Sequence, residues 1–499
     1  MRLGRAERAE ERGGTTVSLV IGVDVGSSEA KAGLFDGQGS LLRLARSGYP
    51  MITAGETGRA EQDPESWWVA VCQTLHQVVE GISPHELAAL CVQGQGPSVV
   101  MADGDGKPLH NAVLWMDSRP GSQRDEVSRR MGKTVSPFAH IPAAMWLATQ
   151  RKEAYAQARW FLAAWDFIAL RLCGQAVASS LAYFQPFPEE EIKASGLPHR
   201  LFPPVVAAGR SIAGVAAAAA RATGLPEGLP VIAGAHDGIG NFIGAGLVKP
   251  GRAADVNGTS GGLALCWSEP IDSPGVFSET WLRPGEYIVG GAMAALGKCL
   301  DWLRETIIGE ATTHEDLIRE AMTAPAGADR LLFLPYLAGE RAPIWDPQAR
   351  GVFFGLALNH ERRHLVRAVL ESVAYALRHV AEPLQESGAR IDEMRVCGRQ
   401  ALSEDWNQIK ADVLGVPVAV PRVRETALLG SAVLAGVGAG LLADIVVGAD
   451  QLVSIDRVLH PVPSRHQQYT ELFGIYKRLY PDLRDAFHQL AASQGESCL

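Results

Sequence analysis

Val17-Ser-Leu-Val-Ile-Gly-Val-Asp24-Val-Gly26-Ser27-Ser28 is the first patterned stretch of the chain. An apolar run that ends in an aspartate and a Gly/Ser bend reads as a buried strand entering a tight turn. Lys31-Ala-Gly-Leu-Phe-Asp36 reads as the return strand. Gly37-Gln-Gly39 is a second turn, and Leu41-Leu-Arg-Leu-Ala-Arg46 a third strand. Three consecutive antiparallel strands are therefore expected at the start. After Asp63-Pro64, Glu65 to Val79 reads as a helix with proline in its first turn, where the missing N–H does no harm. Leu87 to Val92 then leads as a strand into Gly94-Gln95-Gly96-Pro97-Ser98. Strands followed by alternating helix and strand predict an α/β fold with a mixed sheet.

The second half opens in the same way. Arg252-Ala-Ala-Asp-Val-Asn257 runs into Gly258-Thr259-Ser260-Gly261-Gly262, and Leu263-Ala-Leu-Cys-Trp267 returns. This is the pattern of an internal duplication, with a boundary expected at the Gly/Pro cluster between Gly244 and Gly251. The expected organisation is a disordered leader over 1–17, a first domain over 18–248 and a second over 249–499. Val366, Leu370, Val373, Leu377 and Val380 mark one apolar helix face. Trp406 to Leu414 and Leu428 to Val437 are further helix candidates, and Gln467 to Leu490 is expected as one or two terminal helices interrupted at Pro481.

A chain of 499 residues is too long for one ordinary core. Its net charge of −9 argues against a partner made of phosphate backbone, so nucleic acid is not expected. Seven scattered cysteines without a C-x-x-C pair speak against zinc ribbons and disulfide frameworks and for reduced, buried thiols in the cytoplasm. No apolar run reaches bilayer length, so no membrane partner is expected.

The chemistry is concentrated in three turns. Each Gly/hydroxyl bend aims backbone N–H groups into one concavity, a nest for an anion. Asp24, at the end of the first strand, would repel phosphate unless Mg²⁺ lay between them. The plain alternative for either bend alone is an ordinary hairpin turn. Val231-Ile-Ala-Gly234-Ala235-His236-Asp237-Gly238 runs an apolar strand into a Gly turn bearing a carboxylate, which can accept a hydroxyl proton. The plain alternative there is Asp237 as N-cap of the following helix. His236 is read as structural.

These residues resemble the FGGY carbohydrate kinases, of the actin, hexokinase and heat-shock chaperone superfamily. Asp24-Val-Gly26-Ser27-Ser28 with Lys31 looks like the first phosphate loop, Gly234-Ala-His-Asp237 like the catalytic-base turn, and Asn257-Gly258-Thr259-Ser260-Gly261 like the second phosphate loop. Phe333-Leu-Pro-Tyr336-Leu-Ala-Gly339-Glu340-Arg341-Ala342-Pro343 and Glu61-Gln-Asp-Pro-Glu-Ser-Trp67-Trp68 are similar to segments of xylulokinase-like members. Arg395-Val-Cys-Gly398 through Trp406-Asn-Gln408-Ile-Lys-Ala-Asp412-Val-Leu-Gly415 resembles the adenosine loop and its helix. The resemblance spans roughly residues 18 to 480 and six motifs in order.

It implies two ribonuclease-H-like domains of the actin-like ATPase type around a central cleft, with sugar on the first and ATP mainly on the second. Asp237 would be the general base, and Asp24 with Asp237 the Mg²⁺ candidates. Gly26, Ser27, Ser28 and Lys31 would line one side of the phosphates, Gly258, Thr259 and Ser260 the other. Gly398, Arg399 and Asn407 would face the nucleotide, and Gln95, Gly96, Trp115, Asp117 and Arg119 the sugar. The expected substrate is a ketopentose such as xylulose. A polyol or sugar acid (erythritol, a pentitol, gluconate) is the alternative, and a non-sugar ATPase or non-catalytic sugar sensor the alternative of another class. Whether the chain acts as a monomer or a homodimer is left open.

Three departures stand out. The sugar loop Gly94-Gln95-Gly96-Pro97-Ser98 lacks the Met and His of xylulokinases and is closer to erythritol-type kinases. The adenosine loop, usually three glycines and an alanine, is Gly398-Arg399-Gln400-Ala401. Ala144-Met145-Trp146-Leu147 replaces a segment that usually carries Lys. Two decoys are set aside. His360-Glu-Arg-Arg-His364 has zinc-peptidase spacing but is expected as a charged, solvated helix start. Gly291 to Cys299 has the wrong spacing for a nucleotide P-loop. Trp67-Trp68 is expected to pack in the core.

Overall fold

The computed structural model describes residues 18–136, 139–257, 261–309 and 311–493. The expected leader lies outside them, as does Cys498. In the first half the elements that carry the site are β1 (Leu19–Val25), β2 (Glu29–Phe35), β3 (Leu41–Gly48), α1 (Pro64–Val79), β4 (Leu87–Gly94), α2 (Ala164–Cys173), β5 (Ser211–Gly214), β6 (Pro230–Ile232) and α3 (Asp237–Gly244). The sheet runs β5-β6-β4-β1-β2-β3. β1, β2 and β3 pair antiparallel, as the turns predict, while β4 joins β1 and β6 joins β4 in parallel. β5 closes the edge antiparallel to β6.

In the second half come β7 (Arg252–Asn257), β8 (Gly261–Trp267), β9 (Phe277–Thr280), β10 (Tyr287–Met293), α4 (Arg362–Glu386), β11 (Glu393–Cys397), α5 (Glu404–Leu414), β12 (Val418–Pro421), α6 (Thr426–Gly438), β13 (Ile455–Leu459) and α7 (Pro463–Ser493). Their sheet runs β9-β10-β8-β7-β11-β12-β13. Again two antiparallel steps (β7–β8, β8–β10) sit beside two parallel ones (β7–β11, β11–β12), with an antiparallel last strand. Apart from β9, the second sheet repeats the first strand for strand, so the duplication suspected from the two hairpins extends through both sheets.

Strand alternation assigns the layers. Ile21, Val23 and Val25 face a core shared with α1 and α2, while Val20 faces a different one. That second core also takes Ile239 and Ile243 of α3, Leu428 and Ala432 of α6, and Ala254 and Ala264 of the second sheet. α3 and α6 therefore lie between the two sheets. Glycine backbone brings them to their closest approach, and Thr426 Oγ1 donates to Asn241 Oδ1 at 2.7 Å beside it. A Cβ on Gly244 would stand 1.8 Å from the Thr426 carbonyl oxygen, and one on Gly430 2.1 Å from that of Gly240. Beyond the second sheet, α4, α5 and α7 share the largest core.

One expected break is absent. α7 continues through Pro481 as a single helix. Pro481 lies on the exposed side, while Tyr469, Phe473, Tyr476 and Phe487 anchor buried contacts before and after it. Packing on both sides offsets the one backbone bond that proline removes. No helix among the described residues is long and apolar enough to cross a membrane.

Candidate active site

Asp24 is the last but one residue of β1, and the pleat turns it to the side of α3 and α6. It is 6 % exposed, and its Oδ1 has no hydrogen-bond partner. Burial, and next the charge of Asp237, push its carboxyl up to about 7, against the pull of Lys31. Asp237 opens α3, and its side chain keeps 31 % of its surface. Burial raises it as well, against His236 and Lys31. Two neighbouring carboxylates, one with an orphaned buried oxygen, fit a hard divalent cation that takes oxygen ligands. No cluster of three or more His, Cys, Asp or Glu converges among the described residues, so water and phosphate oxygens would have to complete such a shell.

Asp237 does not cap α3 with its side chain, the plain alternative raised by the sequence. His236 is the cap, its Nδ1 accepting the Gly238 N–H at 3.0 Å. The proton is thereby fixed on Nε2, which donates to the Gly96 carbonyl oxygen at 3.0 Å. The sugar-loop candidate is thus fastened to the base turn through one ring. Gly94 N–H bonds to Ala235 O and Gln95 N–H to Val25 O at 2.8 Å. A Cβ on Gly96 would come within 2.8 Å of the His236 ring. Trp165 and Phe184 pack on the same ring at 6.2 and 5.2 Å.

Gln95 is buried and donates through Nε2 to Gln62 Oε1 at 2.9 Å, leaving its own Oε1 without a partner. Gln62 is held by Trp67 Nε1 at 3.0 Å and donates to Ser27 O at 2.8 Å. Trp67 is the fully buried core residue expected. Trp115 Nε1 reaches Ser27 Oγ at 3.4 Å. Asp117 and Arg119 are bound to each other at 2.6 Å, and the guanidinium also meets Glu61 at 2.6 Å and Glu56 at 2.5 Å and lies over Trp146. Burial of Glu61 is outweighed by bonds from Arg119, Arg59 and Asn111, which hold it at about 2.

On the phosphate side the bend is partly closed on itself. Gly26 N–H donates to Glu29 O at 3.1 Å, and Gly26 O accepts from Tyr49 Oη at 2.6 Å. The N–H groups of Ser27 and Ser28 take no partner among the described residues, so these two, rather than that of Gly26, are available to an anion. Lys31 bonds to Glu425 at 3.1 Å, just ahead of α6. Gly258, Thr259 and Ser260 lie outside the described residues; on either side of them Asn257 pairs with Gly261. Gly398 turns at φ 72°. The Arg399 side chain also lies outside the described part. Asn407 is fully buried, donates to Ala401 O at 3.3 Å and has an unpartnered Oδ1.

Two family models cover most of the chain: the N-terminal domain of the FGGY family of carbohydrate kinases matches residues 19–244, and its C-terminal domain residues 253–439. The chain belongs to the FGGY family of carbohydrate kinases. A gluconokinase of Bacillus subtilis is 28 % identical over 96 % of this chain and 98 % of its own length. A xylulose kinase of the same species is 27 % identical, covering 94 % and 98 %. The crystal structure of a gluconate kinase from Lactobacillus acidophilus superimposes with a TM-score of 0.84 at 26 % identity, over 95 % of this chain and all of that one. A ligand-bound xylulose kinase from that species gives the same TM-score, identity and coverage. The FGGY kinase thus has the two-domain actin-like ATPase fold.

Both decoys resolve within this FGGY kinase. His360 precedes α4, whose N-cap is Glu361. The two histidines therefore do not share a helix face. The solvated helix start expected there is corrected at His364, which is 2 % exposed and bonds to Asp329 at 3.1 Å. Gly291 lies in β10 and Cys299 is buried against Ala295 O, so no phosphate loop forms there. Sequence reasoning missed Glu425, Gln62 and the bridging role of His236. The partners that give them these roles are distant in sequence (Lys31 for Glu425, Gly96 for His236, Ser27 and Gln95 for Gln62), so no local pattern marks them.

Proposed function

We propose that this FGGY kinase transfers the γ-phosphate of ATP to a terminal hydroxyl of a small sugar, a ketopentose such as xylulose before other classes. The observation that carries the reading is the pair Asp24 and Asp237: adjacent carboxylates, both raised by burial, one with an orphaned oxygen, at the ends of β1 and of the turn after β6. A carboxylate raised toward neutrality is a competent proton acceptor. Asp237 takes the hydroxyl proton as the oxygen attacks the γ-phosphorus, and it orients that oxygen. Asp24 and Asp237 would hold Mg²⁺, Asp24 through water, and the ion would neutralise charge on the phosphates. Ser27 and Ser28 offer amides to the phosphates beside Gly26 and Lys31, with Gly258, Thr259 and Ser260 opposite. Gly398, Arg399 and Asn407 lie toward the adenosine.

Gln95, Gly96, Trp115, Asp117 and Arg119 form the sugar side, on the half 18–248, and ATP sits mainly on 249–499. The Arg119 guanidinium is already answered by Asp117, Glu61 and Glu56. This favours an uncharged substrate over a sugar acid, although gluconokinases stand among the relatives. The Gly94-Gln95-Gly96 loop keeps a polyol as the second reading. A screen of ADP release over ketopentoses, tetritols, pentitols, hexuloses and sugar acids tests this. The largest kcat/KM is expected on a ketopentose; a preference for gluconate, or ADP release that no acceptor accelerates, would refute it. The proposed compartment is the cytoplasm.

A further inference from the structure

Lys410 is a fully buried lysine on α5, one helical turn beyond Trp406 and Asn407. Its ammonium bonds to Asp255 Oδ2 at 2.5 Å and to Gln400 Oε1 at 2.8 Å and sits 5.3 Å from the centre of the Trp406 ring. Asp255 is 1 % exposed on β7, two residues before Asn257. Gln400, 8 % exposed, belongs to the short helical turn Arg399–Leu402 that follows Gly398. One ammonium therefore joins three segments: the strand that leads to the 258–260 stretch, the turn after β11, and the helix that carries Asn407. A buried ion pair contributes little net stability against a hydrophobic replacement, so its presence calls for another reason, such as fixing one arrangement of the groups around it. The loop sequence supplies one. At a position where small residues would leave the turn free, Gln400 turns inward and is held.

We propose that Lys410 is a positioning residue for the nucleotide, locking the 398–402 turn to β7 so that the adenosine side and the phosphate side of the site hold one spacing. The inference rests on the proposed placement of the nucleotide against Gly398 and the 258–260 stretch. Neither Lys410 nor Asp255 needs to touch the ligand. A nucleotide that must span both segments binds best when their separation is set beforehand, because the ordering cost is then already met by the fold.

The test uses the full-length protein and titration calorimetry with MgADP as the probe, alongside the ligand-free unfolding midpoint. Gln400→Leu removes the held acceptor and leaves no charge unpaired. The double variant Lys410→Met with Asp255→Leu removes both charges together, so neither is left buried without its opposite charge. Each is expected to weaken MgADP binding by roughly three- to thirty-fold while the ligand-free midpoint of Gln400→Leu stays near wild type. Unchanged MgADP affinity in folded Gln400→Leu overturns the proposal, and so does a loss of affinity only in step with a loss of folding. If the double variant does not fold, Gln400→Leu decides alone. Gly398→Val separates this inference from the placement beneath it. At a φ of 72° a β-branched residue cannot keep the turn. If Gly398→Val leaves MgADP binding intact, the placement fails. If it abolishes binding while the other variants do not weaken it, the locking role alone fails.

Discussion

The two sheets repeat one another, yet their first strands use an aspartate in opposite ways. Asp24 stands one residue before the last paired position of β1, and Asp255 stands two before that of β7. That one-residue offset flips the side chain to the other face. Asp24 looks between the sheets and keeps an oxygen with no partner, while Asp255 looks outward beneath α5 and is neutralised by Lys410. The comparison teaches that burial by itself does not mark a functional carboxylate. The sign that separates the two is a buried carboxylate oxygen left without a hydrogen-bond partner, a cost the fold bears at Asp24 and one that a ligand would relieve.

Four substitutions press on this contrast. The largest effect is expected at Asp237, the neighbour that raises Asp24. Asp237→Asn should lower kcat by about 10²- to 10⁴-fold while MgADP binding persists; wild-type turnover would remove it as the base. Next is Lys410→Met, which removes the cation beside buried Asp255 and should cost about 3–5 kcal/mol in chemical denaturation. Asp24→Asn should do the reverse. The Asp24 carboxyl titrates near 7 in the fold and near 3.8 when unfolded. Between those values the folded chain holds a proton the unfolded one has lost, so ligand-free stability falls as pH rises from about 4 to 7. The asparagine variant should therefore match wild type near pH 4 and exceed it by on the order of 2–4 kcal/mol at pH 7 in chelator. A variant less stable at pH 7 would contradict the strained carboxylate. The smallest change is expected at the rim. Glu425→Gln loosens rim pairs with Lys31 and Arg46, whose side chains keep 22 % and 41 % of their surface, and its effect on stability in chemical denaturation should be about 1 kcal/mol.

The hairpins, α1, α4, α5 and α6 were legible because each depends on local periodicity and turn chemistry. The position of α6 was not, since its contact with α3 joins Gly430 to Gly240 across a long intervening stretch of chain and glycine backbone carries no hydrophobic pattern. The carboxylates at 24 and 237 could be read from motifs, but the bond from His236 to the Gly96 carbonyl could not. The strand order of Asp255, one step out of phase with Asp24, is visible only once register is known. Pro481 misled because a proline rule applied to sequence does not know which helix face is wet.

The crossing of α3 and α6 has a mechanical consequence. Glycine backbone seats the two rods close together, and the Thr426–Asn241 hydrogen bond at 2.7 Å, with Ile239, Ile243, Leu428 and Ala432 in one core beside it, couples the movement of one to the other. Asp237 begins one rod and Glu425 immediately precedes the other. Any roll at this contact would swing Asp237, the proposed proton acceptor, and the rim of the opposite half together, so that in the proposed reaction closing the cleft and aiming the base become a single motion.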